Sequence, residues 1–385
     1  MNKKSVVLRA PVLTQSGYGV HSRQVASWLL SRNDVDLSII PTQWGDTPWI
    51  LNEKFESGLI GKILEKCTSP KQKPDFSYQL VLPNEWDASM ANKNVGMTAA
   101  VETDRCHPSW PSFCNKMDAV IFPSTHALAS INNVEKIKTK TYVVPESYSE
   151  VFLSDPLKVD FGFKTPYNFL MVGQLTGNNP HNDRKNIFYT IKWLCEVFKD
   201  DPNVGVVIKT NSGRNTLIDR KIVTNLFEQL MLEARRGPYP KFYLLHGDMS
   251  DSEMCSLYKD SSVKALVNLG HGEGFGLPIL EAAVTGLPII ATGWSGYTDF
   301  LTKKDYVSVN YQLEQIPNSR VDQQIFVKDA RWAAPSSEDF KRKVKKFMTS
   351  NEPLQWANDL KVRIRDSHSA ESINQLYNIV FEELQ

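Results

Sequence analysis

The stretch from His271 to Tyr297, HGEGFGLPILEAAVTGLPIIATGWSGY, constrains this chain more than any other. Gly272, Gly274 and Gly276 alternate with Glu273 and Phe275. Glycine tolerates unusual backbone angles and lets a ligand come close to the main chain. Pro278 suits the first turn of a helix, where a missing N–H costs little. Gly286 fits the helix end, and Leu287-Pro288 cannot continue it. The spacing predicts a helix of about two turns and then a buried strand over Pro288–Thr292. The N-terminus of that helix points at the glycine loop, where amides and the helix dipole favour an anion. Glu273 in the loop and Glu281 on the helix frame the element. A nucleotide sugar reconciles the two signals, because it offers phosphates to amides and hydroxyls to carboxylates. The plainer alternative is a βαβ turn with glycines for packing and both glutamates in solvent. Glu273 lies between glycines in an otherwise apolar run, which favours the site.

EGFGLPILEAAVTGLPIIAT resembles the signature of retaining GT-B glycosyltransferases, in particular glycosyltransferase family 4. That signature places two glutamates eight residues apart, followed by a Gly-Leu-Pro strand. The resemblance implies an α/β fold of GT-B type: two Rossmann-like domains with parallel sheets facing a central cleft. It also implies that the second domain holds most of the sugar nucleotide.

The composition agrees with a protein of that size. The chain has 385 residues, 41% hydrophobic and 23% charged, enough for two domains with their own cores. Its formal net charge is only +1, so no global field draws it to nucleic acid or to an acidic membrane. Cys67, Cys106, Cys114, Cys195 and Cys255 form no CxxC pair and suggest reduced thiols, hence a cytoplasmic setting. The start, MNKKSVVLRA, reads as a first strand and not as a signal peptide. No segment approaches the ~18 apolar residues of a membrane span, so no integral membrane association is expected.

Ser5–Ala10 is expected to be a buried strand. Ser16-Gly17-Tyr18-Gly19 follows as a glycine turn before a helix through Val25, Trp28 and Leu29. By the resemblance this turn lies near the donor phosphates and the acceptor, with Gly19 on the donor side and Gly17 and Tyr18 on the acceptor side. Packing glycines remain the alternative. Residues 41–77 look irregular; Trp44 and Trp49 could stack on a ligand or cap a core. Strands are expected at Tyr78–Leu82, Val95–Ala100, Ala119–Pro123 and Thr141–Val144. Glu102 and Asp104 follow one of them, at the edge where α/β folds bind ligands. The run Glu102-Thr103-Asp104-Arg105 resembles an acceptor-side motif of the family, and a solvated turn is the alternative. Ser124 could cap a helix. His126 could touch the donor sugar and is assigned a catalytic place beside Glu273, against the alternative of a local hydrogen-bonding residue.

Residues 150–167, with Pro156 and Pro166, read as a linker. The expected division is an acceptor-side domain over 1–155, a nucleotide-sugar domain over 156–350 and a helical segment over 351–385 crossing back to the first domain. Strands at Asn168–Val172, Val204–Lys209, Lys241–His246, Val263–Leu269 and Pro288–Thr292 alternate with helices near 186–199, 220–234 and 251–259. Family members place arginine after the glycine equivalent to Gly173 and a lysine later; these cations neutralise the donor diphosphate. Here Gln174 replaces the arginine, and Arg184 beside Lys185 is expected to supply the charge after a longer loop with Asn178, Asn179 and His181. Lys209 ends a strand and joins the donor side. His246 lies in the region that lines the family's nucleobase pocket. The basic run 341–346 is read as a solvated helix face.

The expected function is therefore retaining, metal-independent transfer of a hexose or pentose from a nucleotide-diphosphate sugar, UDP-sugar foremost, to a hydroxyl acceptor. Arg184, Lys185 and the amides of Gly274, Phe275, Gly276 and Leu277 would hold the diphosphate. Glu281 would bind the ribose and Glu273 the transferred sugar. No cofactor beyond the donor is expected, and no metal, because no DxD motif lies in a suitable loop. The acceptor stays open among polysaccharide, small glycoside and modified DNA, and the chain is expected to be a monomer or homodimer. One alternative is the same chemistry on hydroxymethylated bases of phage-type DNA, with Trp44, Trp49, Lys71, Lys73 and the 341–346 run as candidates. The other is a GT-B binding protein without catalysis.

Overall fold

The computed structural model describes residues 3–175 and 179–385; Asn178 lies outside them. The chain divides into two compact units. One comprises the chain through Ser147 with Gln323–Val327 and Ala370–Gln385, and the other Tyr148–Asp322 with Lys328–Ser369.

The first unit alternates strands and helices: β1 (Lys4–Ala10), α1 (Gly17–Ser31), β2 (Val35–Pro41), α2 (Phe55–Glu65), β3 (Phe76–Leu80), β4 (Lys93–Met97), α3 (Trp110–Cys114), β5 (Ala119–Phe122), α4 (Thr125–Asn132) and β6 (Lys140–Val143). The sheet runs β2-β1-β3-β4-β5-β6, all parallel. Alternate residues feed two cores, as the period of two requires: Ile121 joins Val6, Leu8 and Met97, while Val120 and Phe122 join Trp110 and Ile131.

Two details depart from the sequence reading. β4 stops at Met97 and does not reach Ala100, because Thr98 Oγ1 accepts the Ala100 amide (3.1 Å) and Ala100 takes a left-handed φ of 52°. The stretch 41–77 contains α2. Gly58 and Gly61 obscured its pattern of Ile60 and Ile63, and Gly61 is small because a Cβ there would stand 3.1 Å from Glu53 O.

The second unit holds β7 (Tyr167–Val172), α5 (Ile187–Val197), β8 (Val204–Thr210), α6 (Leu217–Ala234), β9 (Lys241–His246), α7 (Asp251–Tyr258), β10 (Val263–Asn268), α8 (Leu277–Thr285), β11 (Ile289–Thr292) and β12 (Val307–Val309). A hairpin of β13 (Tyr311–Gln315) and β14 (Arg331–Pro335) follows, then α9 (Ser337–Phe347) and α10 (Glu352–Ser367). The sheet order is β12-β11-β10-β7-β8-β9, again parallel. Leu170 and Leu266 face a core with Ile279, Leu280 and α10; Phe169 and Val267 face another with Ile191, Leu194 and Phe340. The basic run of α9 turns Phe340, Val344 and Phe347 inward and its charges outward. Last, α11 (Ala370–Leu384) belongs to the first unit, where Tyr377 stacks on Trp28 at 5.0 Å.

The chain enters the second sheet at β7, builds outward to β9, and returns beside β7 as β10. Strand order reverses between β7 and β10, and the carboxyl ends of two such strands form the natural ligand crevice of an α/β sheet. Gly173 follows β7 there, and the stretch Leu269–Gly276 follows β10.

Candidate functional site

The helix after β10 forms as its sequence demands. Gly276 precedes α8 with φ of 107°, Pro278 occupies its first turn, and Gly286 closes it with φ of 82°. A Cβ on Gly276 would also press on the Tyr297 ring at 3.2 Å. The loop beneath is held from the other side. Ser295 Oγ accepts the Glu273 amide (3.0 Å), and the Gly296 amide donates to Glu273 O (2.9 Å). Gly296 cannot carry a side chain, since a Cβ would lie 2.1 Å from Gly274 O. Ser295 adopts φ of 93°, a strained conformation for a serine, at the point where its hydroxyl meets this loop.

Glu273 is 7% exposed, yet it is ionised by its surroundings. Lys185 Nζ lies 2.5 Å from Oε1, and Arg184 Nη1 lies 3.4 Å from Oε2 while donating to Gly272 O at 2.8 Å. Burial pushes the carboxyl pKa up. The Lys185 and Arg184 charges, with hydrogen bonds from Lys185 and Asn268, more than offset that and leave it below the ordinary glutamate value. Asp183 arranges the two cations. It is fully buried and accepts the amides of Lys185 (3.1 Å) and Ile187 (2.6 Å), capping α5 from outside. The Lys185 stem passes 3.4 Å from where a Cβ on Gly173 would stand, an ordinary contact, so packing alone does not require the glycine after β7.

Glu281 meets the opposite environment. Burial raises its pKa to about 8; the Asp251 carboxylate adds to the rise, while the Tyr258 hydroxyl and Lys209 oppose it. Tyr258 donates to Oε2 at 2.8 Å. Lys209 donates to Gly247 O at 2.7 Å, and burial depresses its pKa against the pull of Asp248 and Glu281.

The structure thus brings together Arg184, Lys185 and Glu273 at the amides of Gly274, Phe275, Gly276 and Leu277, with Glu281 and Lys209 around the same helix. The Phe275 side chain itself turns into the core against Phe300, 5.3 Å away, so only its backbone can face a ligand. His246 also turns inward: its Nε2 lies 2.6 Å from Asp219, whose other oxygen accepts from Ser212. Only its neighbourhood, not its ring, is available to a base. Gln174 is exposed. Among the described residues, no three His, Cys, Asp or Glu side chains converge as metal ligands, and no helix is long and apolar enough to cross a membrane.

The remaining candidates belong to the first unit. Gly17, Tyr18 and Gly19 are not a turn before α1 but its first residues, with Ser16 Oγ accepting the Gly19 amide at 2.9 Å. Gly19 is a packing glycine, because a Cβ would stand 2.0 Å from Thr14 O. The Tyr18 hydroxyl contacts Thr98 Oγ1 and accepts from the Ala99 amide, each at 3.0 Å. Asp104 is buried and its carbonyl accepts from Asn133 at 2.8 Å, whereas Glu102 is half-buried on the same turn. His126 is the second residue of α4, half-buried behind the Ser124 cap. Sequence reasoning missed Asp183, Asn268, Tyr258 and Ser295. The Asp three residues before Asn186 was a readable capping signal; the other three had none, since each acts through a partner distant in sequence.

The fold is that of a two-unit α/β protein of GT-B type. No protein-family model and no curated protein sequence matches the chain. Solved structures of that type match it over its full length. Sucrose-phosphate synthase from Thermosynechococcus elongatus shares 13% identity over 99% of each chain, with a TM-score of 0.63. HepE from Anabaena, in complex with UDP and glucose, shares 12% over 99% of this chain and 100% of its own, with a TM-score of 0.66. A glycosyltransferase from Rickettsia africae shares 14% over 100% and 99%, with a TM-score of 0.64. These likenesses are in fold.

Proposed function

We propose that the protein is a retaining, metal-independent glycosyltransferase that moves a hexose or pentose from a nucleotide-diphosphate sugar, UDP-sugar foremost, to a hydroxyl acceptor. One observation carries this reading: a buried, ionised Glu273 is clasped by Arg184 and Lys185 at the start of α8. Arg184 and Lys185 bring two cations to the loop before α8, where a bound diphosphate would share them with Glu273. Helix amides beside them add donors. A nucleoside diphosphate matches that charge, and its sugar hydroxyls match the Glu273 carboxylate. Glu281, near Tyr258 and Lys209, is assigned the ribose hydroxyls, and HepE with its bound UDP supports UDP as the first donor to test.

In this reading the C–O bond from the sugar to the diphosphate breaks while Arg184, Lys185 and the loop amides stabilise the leaving charge. The acceptor hydroxyl attacks from the same face and gives its proton to the departing phosphate oxygen. Glu273 orients the sugar, and His126 is kept as a second candidate for contact with it. Catalysis is mainly positioning and charge stabilisation. Melting temperature measured with a series of nucleoside diphosphates and their sugars tests the proposal, since a ligand of the folded state raises it. A rise with UDP that Lys185→Ala abolishes is expected. No rise with any nucleotide would sink the reading and favour a different ligand altogether. Turnover in excess chelator and the anomeric configuration of the product test the metal and stereochemical parts.

A further inference from the structure

The loop after β2 is closed on itself by one side chain. Gln43 Nε2 donates to Gly45 O (2.8 Å) and Thr47 O (2.9 Å), and its Oε1 accepts from the Trp49 indole N–H. Thr47 Oγ1 donates to Trp44 O at 2.6 Å. Two hydrogen bonds sew the loop to the chain beneath, Gln15 N to Pro48 O (3.1 Å) and Ile50 N to Leu13 O (2.6 Å), and together they make an antiparallel bridge between Thr14 and Trp49. Trp44 stacks on Tyr18 with ring centroids 3.6 Å apart and planes at 16°, and Tyr18 is anchored at its hydroxyl by Thr98 and Ala99. The loop therefore has a fixed conformation at the carboxyl edge of the sheet, where Thr42 N still pairs with Ala10 O (3.0 Å).

On this fixed loop Trp49 is 42% exposed, and among the described residues it is the one tryptophan classed as exposed. Its ring nitrogen is already satisfied by Gln43. What it offers to solvent is an apolar aromatic face, not a hydrogen-bond donor. An ordered loop loses little entropy when a ligand stacks on it. Gly17, the residue before Tyr18, has an ordinary backbone and no atom within 4 Å of where its Cβ would stand. Packing does not require a glycine there, and close approach of a ligand would.

We infer that Trp49, on the loop braced by the Trp44–Tyr18 stack, is a platform for a sugar ring, so that the acceptor is a carbohydrate. A pyranose carries a face of C–H groups that packs on an indole, and its rim of hydroxyls pairs with polar neighbours. Charge separates this from a nucleobase of DNA, which also stacks. Residues 42–54 contain Asp46, Glu53 and one cation, Lys54, and the Arg23 guanidinium beneath is held by Val12 O, Thr14 O and Glu56, whereas a polyanion needs cations along its backbone. The inference rests on the transferase reading for its meaning, but its test stands apart from it.

Saturation-transfer NMR on the full chain, with maltohexaose, cellohexaose and a short duplex DNA as probes, tests the platform. Ring C–H signals of at least one oligosaccharide should receive saturation. Affinity should fall about tenfold in Trp49→Ala and be largely kept in Trp49→Phe. Oligosaccharide binding that is equal in wild type and Trp49→Ala, or binding of none, overturns the platform. So does Trp49-dependent binding of the duplex, which would reassign the face to nucleobases. Adding UDP to the wild-type sample keeps the two failures distinct. A UDP response with Trp49-insensitive sugar binding overturns the platform alone, whereas no response to UDP or any other nucleotide overturns the transferase reading.

Discussion

Two glycine-spaced helix starts, one in each unit, use the same sequence device for different ends. At α1, Gly19 is small because Thr14 O occupies the place of its Cβ, and Tyr18 is stacked on Trp44 and bonded to Thr98. The unit's own chain fills the space that glycine spacing opens. At α8, Gly276 and Gly296 clear room for a loop whose contents are Glu273, Lys185 and Arg184. That space is filled by charged groups, two cations around one carboxylate. A GxG turn thus indicates close approach, and the approaching group, backbone or ligand, has to be learned from the neighbours.

The largest effect expected from breaking this contrast is at α8. Glu273→Gln or Lys185→Ala should lower sugar transfer by about 10²–10³-fold, as for loss of one preorganised charge-stabilising group. Initial rates at saturating donor measure it, and a rate within twofold of wild type would remove the cluster from the chemistry. Next comes Gly19→Ala, where overpacking against Thr14 should cost ~1–3 kcal/mol of stability. Denaturant unfolding of that variant, with an unchanged midpoint, would contradict the packing role.

A third effect separates the two glutamates by pH. Glu281 has its folded pKa raised from an ordinary value near 4.5 to about 8. The folded protein then binds more protons than the unfolded chain between those values. The stabilisation is complete below about 4.5 and is lost as pH rises through about 8, so the ligand-free melting temperature should decline over that window. Glu281→Gln should flatten the decline. Glu273, shifted downward, contributes in the opposite sense: its stabilisation is present above the ordinary glutamate value and lost as pH falls through its lower folded pKa. The smallest effect is at Gly17. Gly17→Ala should be neutral or stabilising by up to ~1 kcal/mol in a helix. If a ligand approaches there, the same change should weaken acceptor binding, seen as a raised acceptor KM at unchanged stability.

Much of the fold was legible because its signals are local. Ser124 caps a helix, Pro278 and Gly286 bound α8, and the apolar runs of β7, β8 and β10 need only neighbouring residues to declare themselves. α2 escaped because two glycines interrupt its pattern, and β14 because its partner strand begins at Tyr311, across a long connection. The division of labour at the site follows the same line. The sequence by itself determined that a helix would start beneath a glycine loop, with Glu273 in the loop and Glu281 on the helix. Only the tertiary structure decided their states. Lys185 and Arg184 lie 88 and 89 residues from Glu273 and reach it because β7 and β10 are neighbours in the sheet. His246 was turned inward by Asp219, and Tyr18 by Trp44 and Thr98. A residue's type sets what it can bond, but burial and the charge of its neighbours set whether that capacity is spent inside the fold or left for a ligand. Those two quantities exist only once distant segments are packed together.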